Sequence, residues 1–228
     1  MKKMGKIDLH IHTAEVSPCG NVSASDLVKL YKERGYEGLV ITDHYFKGYF
    51  DDLGEMPWEE KIQHYLEGYR KALEVGEGMD LSVFLGMEIR VESDPNDYLI
   101  YGFDQTFLIN NPNLYDLDVQ DLVNRVKENQ LMIFQAHPFR RGMHQKFIHM
   151  LDGFECYNGN RRHNSRNQLA EELLESSQGI GLSGSDFHEL EDLAYGGIVL
   201  PDRIRTIEQL MAGLKSKGYT YIKETKVL

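Results

Sequence analysis

Cysteine, proline and tryptophan are scarce in this chain, and long apolar runs are missing. The two cysteines, Cys19 and Cys156, stand far apart and form no CxxC pair, which excludes a disulfide framework and a zinc-finger spacing. Six prolines beside 21 glycines in 228 residues exclude collagen-like repeats and proline-rich linkers. No stretch approaches the roughly 18 apolar residues that span a bilayer, and the start, MKKMGKIDLH, has no apolar signal-peptide core. The expectation is a soluble, cytoplasmic protein with no membrane partner. Positive charge is also short: 25 basic against 36 acidic residues leave a formal charge of −11. Such a balance repels nucleic-acid backbones and argues against broad, sequence-independent nucleic-acid binding. Composition is silent on oligomeric state.

What is present is an ordinary globular composition, 41% hydrophobic and 27% charged, in a length that α/β barrels reach as one domain. A single domain over residues 1–228 is the simplest count. Short β-rich apolar runs alternate with segments of helical periodicity, which predicts an α/β fold. Strands are expected at Lys6–His10, Gly38–Ile41, Leu81–Met87, Tyr98–Tyr101, Leu131–Gln135, Gly153–Cys156, Ile180–Ser183, Gly197–Leu200 and Tyr219–Ile222. Helices are expected from a Ser23 cap to Arg34, over Trp58–Val75, Val119–Asn129 and Ser165–Ser177, and from Thr206, where Gln209 completes a capping-box pattern. Tyr45–Pro57 and Val91–Asp97 read as loops over a site.

Five of the nine histidines sit where a predicted strand ends: His10 and His12 in DLHIHT, His44 in ITDH, His137 in QAHPFR and His188 in GSDFH. Residues i and i+2 of a strand share a side, so His10 and His12 can present two imidazoles to one ion. Carboxylates accompany them: Asp8, Asp43, Glu88 in GMEIR, and Asp186. A lone strand-end histidine is more often a hydrogen-bonded structural residue. The joint, ordered occurrence points instead to metal ligation at the carboxyl ends of parallel strands, where α/β barrels place their chemistry. Mixed imidazole and carboxylate ligands suit zinc, manganese, iron or nickel, and their number exceeds one tetrahedral ion, implying a multinuclear centre. His64, His144, His149 and His163 lack such settings and read as surface or packing residues.

The ordered series DLHIHT, ITDH, GMEIR, AHPFR, ECYNGN and GSDFHE resembles the PHP (polymerase and histidinol phosphatase) superfamily from Asp8 to His188. The resemblance implies a distorted (β/α)7 TIM-like barrel that hydrolyses phosphate esters with two or three divalent ions. Carried over by motif, His10, His12, Glu88 and Asp186 hold one ion. Glu88 bridges to a second that His137 also binds, and His44 and His188 hold the third. Two positions depart from the commonest pattern. Ser17 and Pro18 stand where an acid or histidine is usual, so Glu15, or else Cys19, must substitute; a histidine usual after the bridging glutamate is missing, and Asp97 occupies the comparable place. Either carboxylate can equally be a solvated loop residue.

Cations that lower the pKa of water would let it attack phosphorus without a side-chain nucleophile. The catalytic candidates are Glu88, as the bridge, His188, which protonates the leaving alkoxide unless a third ion serves there, and Asp43. Asp43 either orients a ligand, captures the leaving-group proton or makes a local turn or cap bond. A phosphate dianion needs a locally positive site, for which Arg90, Arg140, Arg141, Arg161 and Arg162 are candidates, each with a surface ion pair as its ordinary alternative. Tyr157 and Asn158 are candidate pocket residues. A small phosphorylated substrate such as histidinol phosphate, a nucleotide or a sugar phosphate follows. The competing readings are an amidohydrolase-like carbon–nitrogen hydrolase, which usually relies on a lysine not evident here, and a noncatalytic metal- or phosphate-binding regulatory module.

Overall fold

The computed structural model describes residues 4–223; the expected domain range of 1–228 extends beyond them at both ends. Apolar runs too short to be helices become strands of one barrel-shaped sheet. β1 (Gly5–Ile11), β2 (Gly38–Ile41) and β4 (Ser82–Arg90) run parallel, and the short β3 (His44–Tyr45) pairs with the far end of β4. β5 (Asp97–Tyr101) returns antiparallel between β4 and β6 (Met132–Gln135), after which β7 (Gly153–Asn158) and β8 (Ile180–Gly184) are parallel to β6. On the other flank β9 (Ile198–Leu200) is antiparallel to β1, and β10 (Thr220–Tyr221) is antiparallel to β9. A parallel bridge from Ile11 to Phe187 brings the end of β1 against the segment after β8, so the barrel nearly closes.

The four residues of β2 are all buried. Val40 joins Ile7, Leu9, Leu99, Phe134 and Leu182 in one core, while Leu39 and Ile41 pack with Leu27, Val28 and Tyr31 of α1 (Ala24–Glu33) in another. Both faces covered is the reason this strand reads as an unbroken apolar run. Ser23 caps α1 through the Asp26 N–H, and Gly35 leaves the helix at a φ of 75°, which glycine adopts without a Cβ penalty.

Three expectations change. Tyr45–Pro57 is not an irregular loop: it contributes Tyr45 to β3 and the whole of α2 (Lys47–Asp52). Its Phe50 is buried against Tyr45, Trp58 and Tyr115, at ring-centroid distances of 4.6, 4.9 and 5.5 Å. The helix expected over Trp58–Val75 is two, α3 (Trp58–Tyr65) and α4 (Glu67–Gly78), joined at Leu66. The junction lets Tyr65 face that aromatic cluster while Gly68 of α4 approaches Thr13 and Asp43. A short helix, α5 (Gln105–Asn110), capped by Asp104, lies where none was expected. The later helices α6 (Val119–Glu128), α7 (Asn167–Ser176) and α8 (Ile207–Ser216) lie where their periodicity places them, α8 with the Thr206 and Gln209 capping box. Among the described residues no helix is long and apolar enough to cross a membrane.

Candidate metal centre

Two irregularities in the sheet aim the site. Between Asp8 and Ile11, β1 uses one residue more than β2 does between Leu39 and Ile41. An extra residue switches the alternation of faces. Asp8 therefore accepts from Tyr31 Oη at 2.9 Å and from the Ser185 N–H at 3.0 Å, while His10 turns to Glu155 across the barrel. Burial, only partly offset by those donors, pushes the Asp8 carboxyl up to about 6. β7 carries a matching irregularity between Glu155 and Tyr157, so Glu155 and Asn158, three apart, meet on one face with Asn158 Nδ2 donating to Glu155 Oε2 at 2.8 Å.

Around these residues the five strand-end histidines converge. His10 Nε2 and His12 Nε2 are 3.0 Å apart, and each is 3.4 Å from Asp186 Oδ1. Glu88 lies between the histidines: Oε1 is 3.0 Å from His137 Nε2 and 3.3 Å from His10 Nε2, and Oε2 is 2.8 Å from His44 Nδ1 and 3.4 Å from His12 Nε2. Asp97 Oδ2 is 3.7 Å from His137 Nε2. It stands at the start of its strand, yet on this rim, because β5 runs against its neighbours. The rings of His44 and His188 each lie 4.2 Å from that of His12. Two of the clustered residues hold backbone in the left-handed region, His137 at φ 29° and Asp186 at φ 51°, the kind of strain that clusters at functional sites.

These atoms form three groups that could hold a cation, two of them sharing His12: His10, His12 and Asp186; Glu88, Asp97 and His137; and His12, His44 and His188. Ligand atoms bound about 2.0–2.2 Å from one ion stand about 3–3.5 Å apart, the spacing seen between His10, His12 and Asp186. The chain also prepares the imidazoles. His10 Nδ1 donates to Glu155 Oε1 at 3.1 Å, which leaves Nε2 directed at the cluster. Ser17 Oγ donates to Asp43 Oδ1 at 2.7 Å and so accepts from His12 Nδ1 at 3.1 Å, leaving the His12 Nε2 lone pair free. Two lone-pair nitrogens facing each other at 3.0 Å repel unless positive charge lies between them. Burial disfavours a charged His10, but Asp186, Glu88 and Glu155 outweigh it and hold its pKa well above the usual imidazole value. The same field favours a divalent cation. Burial, with the charges of His188 and His44, keeps His12 well below the usual value and therefore neutral, the form a metal requires. Glu88 Oε2 is buried among imidazole nitrogens, 2.8 Å from His44 Nδ1 and 3.4 Å from His12 Nε2, an arrangement suited to a shared cation.

The other expected residues divide. Asp43 is buried, and its carboxylate accepts from Thr13 N at 2.7 Å, Thr13 Oγ1 at 2.8 Å and Ser17 Oγ at 2.7 Å; burial, partly offset by these donors, pushes it up to about 6. It is placed to orient His12 through Ser17, and it does not line the clefts. Glu15 is not brought to the cluster: its carboxylate accepts from the Ala24 N–H at 2.9 Å at the start of α1, with Lys71 3.7 Å away. Cys19 stands there instead, its Sγ 3.2 Å from His44 Nε2. Burial raises the Cys19 thiol, but hydrogen bonds from His188 and His44 dominate and bring it down to about 6.

Arg90 and Arg140 reach the site bound to its carboxylates, Arg90 to Asp97 by two 2.7 Å bonds and Arg140 to Asp186 by one of 2.7 Å. Arg162 lines the same cleft beside Asp192, 3.3 Å away. Arg141 is exposed outside the clefts, and Arg161 stacks on Tyr195 at 4.8 Å. Their positions on irregular segments gave no direction from sequence. His163, expected as a surface or packing residue, lines the cleft, as does Met143. Asn158 is buried behind it, bonding Asp186 Oδ2 at 3.2 Å.

Sequence reasoning passed over Glu155 and Ser17. A glutamate inside the buried strand GFECYN was a readable signal, since such a charge is rarely buried without a partner. Ser17 carried no signal of its own. Two adjoining clefts open over the groups. One, of about 360 Å³, has Pro18 and Phe46 on its walls; the other, of about 270 Å³, holds Glu88, His137, Arg140 and Asp186.

The PHP domain family matches residues 8–219. Among curated proteins none matches the sequence. By structure the chain is similar to a two-domain protein of Bacteroides vulgatus containing a predicted PHP-like metal-dependent phosphoesterase, at TM-score 0.70 and 15% identity over 98% of this chain and 66% of that one. It is also similar to the lesion-specific endonuclease PfuEndoQ of Pyrococcus furiosus, at TM-score 0.62 and 12% identity over 96% of this chain and 58% of that one. An amidohydrolase of Chromobacterium violaceum gives TM-score 0.55 and 15% identity, over 96% and 98% of the two chains. Identities this low establish a shared fold.

Proposed function

The chain belongs to the PHP domain family, and from that premise we propose that its centre hydrolyses a small phosphate monoester of the histidinol phosphate, nucleotide or sugar phosphate kind. One observation carries the reading: the cluster of prepared imidazoles and carboxylates shares a cleft with three guanidinium groups, Arg90, Arg140 and Arg162. Two or three divalent ions, zinc, manganese, iron or nickel, held by the three groups would polarise phosphoryl oxygens and bring the pKa of water toward neutrality.

The chain's own residues do the rest. Glu155 and Ser17 hold His10 and His12 with Nε2 turned to the reacting centre. Second-sphere partners of this kind set tautomer and basicity. Glu88 stays ionised, because His10 and His44 outweigh the burial that would protonate it, and it links the inner groups. Arg140 bonds Asp186 and keeps a buried Nε with no acceptor; its charge, with that of Arg162, offsets the chain's −11 at the cleft and orients the phosphoryl oxygens. At the outer group, a proton on His188 or a third cation would neutralise charge developing on the leaving alkoxide. Asp186 and Cys19 favour that proton against the opposing effect of burial.

Carbon–nitrogen hydrolysis is the weaker reading, since among the described residues no lysine lines either cleft. The test is phosphate release from a panel of phosphomonoesters, with a phosphodiester, a short oligonucleotide and an N-acyl amino acid as further arms, each with zinc, manganese, iron and nickel. Monoester turnover abolished by Asp186→Ala is expected. Turnover confined to diesters or amides, or monoester turnover unchanged in that variant, would overturn the proposal.

A further inference from the structure

The outermost group has a thiol beside it. Residues 13–22 form a closed loop after β1: Ser17 N bonds Thr13 O at 3.0 Å, Gly20 N bonds Ser17 O at 2.9 Å, and Ala14 N bonds Val22 O at 3.0 Å. Asn21 N bonds His188 O at 2.9 Å, tying the loop to the strand end that carries His188. Gly20 is required for the closure, because a Cβ there would stand 2.7 Å from Thr13 O. The loop presents Cys19 at the mouth of both clefts, with Sγ 3.2 Å from His44 Nε2 and a hydrogen bond to the His188 side chain. His188 Nδ1 is already committed to Asp186 O at 2.8 Å, so its remaining ring nitrogen serves the group. Independently of the thiol, Glu88 Oε2 is buried and points at the same cluster, 2.8 Å from His44 Nδ1 and 3.4 Å from His12 Nε2. Glu15, the carboxylate nearest in sequence, is bound at the start of α1.

We infer that Cys19 is a metal ligand of the outer group with His44 and His188, which makes that position a thiolate site selective for zinc over magnesium and manganese. The inference rests on the metal reading above and concerns its outer position. A thiolate is a soft ligand that suits zinc, whereas magnesium and manganese favour oxygen. On binding, the sulfur loses its proton to solvent and forms the metal–sulfur bond, so no oxidant or reductant is involved. The inner groups, with imidazole and carboxylate alone, admit manganese and iron beside zinc, so the chain would bind ions of two characters along one cleft.

The test replaces zinc with cobalt(II), whose sulfur-to-metal charge-transfer absorption in the near ultraviolet reports a thiolate ligand directly. The wild-type chain titrated with cobalt should show that band. Cys19→Ala should lose it together with one equivalent of bound metal, and Cys19→Asp should recover the equivalent without the band. Zinc affinity of the outer position in Cys19→Ala should fall by at least about tenfold, since even loss of a ligand's supporting partner costs 10–100-fold. Wild-type protein that binds cobalt without the band, or a band that persists in Cys19→Ala, overturns the inference. A protein that shows the band and its loss yet releases no phosphate from any monoester would sink the proposed function and leave this inference standing.

Discussion

The two rims of the barrel use charge in opposite ways. At the amino ends of β2 and β4, carboxylates meet guanidinium groups: Arg203 Nε lies 3.0 Å from Glu37 Oε2, Arg203 Nη1 2.6 Å from Asp80 Oδ2, and Arg205 Nη1 2.8 Å from Asp80 Oδ1. At the carboxyl ends, Glu88 and Asp186 are buried against imidazoles, and His10 and His12 face each other through like atoms. One rim is neutralised by the chain itself and contributes to stability. The other gathers groups that could hold cations, and its left-handed His137 and Asp186 are the kind of feature a fold carries for function.

The largest effect that sharpens this contrast belongs to the carboxyl rim. His10→Ala should reduce phosphate release on the order of 10³-fold, because losing an electrophilic contact removes several kcal/mol of transition-state stabilisation. The variant should still unfold cooperatively when followed by circular dichroism. An unfolded variant would erase the distinction between the rims. Next, Glu155→Gln should weaken metal binding about 10–100-fold in a chelator competition, because it removes the charge that holds His10 Nδ1. An unchanged affinity would make Glu155 a packing residue.

On the amino rim the order reverses. Arg203→Ala should cost about 1–3 kcal/mol in denaturant unfolding, since it removes a guanidinium from beside the buried Glu37 carboxylate, and turnover should be unaltered. The smallest effect is that of Asp80→Asn, a lowering of the thermal midpoint by no more than a few degrees, as exposed pairs contribute little. Hydrogen bonds from Arg203, then Arg205, hold the Asp80 carboxyl well below its ordinary value. Its contribution is therefore present above the unfolded pKa of about 3.9 and fades as pH falls below that through the folded value. The difference between wild type and Asp80→Asn should be steady near neutrality and shrink in acid. A difference that grows in acid would mean that the pairing is not its cause.

The convergence of the histidines and carboxylates was legible because each sits where an apolar run stops, and strand ends of like direction meet. The H-x-H spacing fixes His10 and His12 on one side whatever surrounds them. Ser17 and Glu15 were not legible, because which of two nearby polar side chains enters the cluster depends on how residues 13–22 close upon themselves. The two-helix course of residues 58–78 was hidden for a related reason: apolar periodicity runs through Leu66 without a break, and only packing against the aromatic cluster divides it.

By itself the sequence determined the α/β alternation, the main helix caps and which histidines and carboxylates stand where apolar runs end, since these follow from local periodicity and side-chain chemistry. Tertiary structure alone decided that β5 runs backwards and lifts Asp97 to the rim, that two extra residues in β1 and β7 turn His10 and Glu155 toward each other, and that Cys19 rather than Glu15 stands beside His44. Strand direction and register come from pairing between segments far apart in the chain, and a shift of one residue reverses every face.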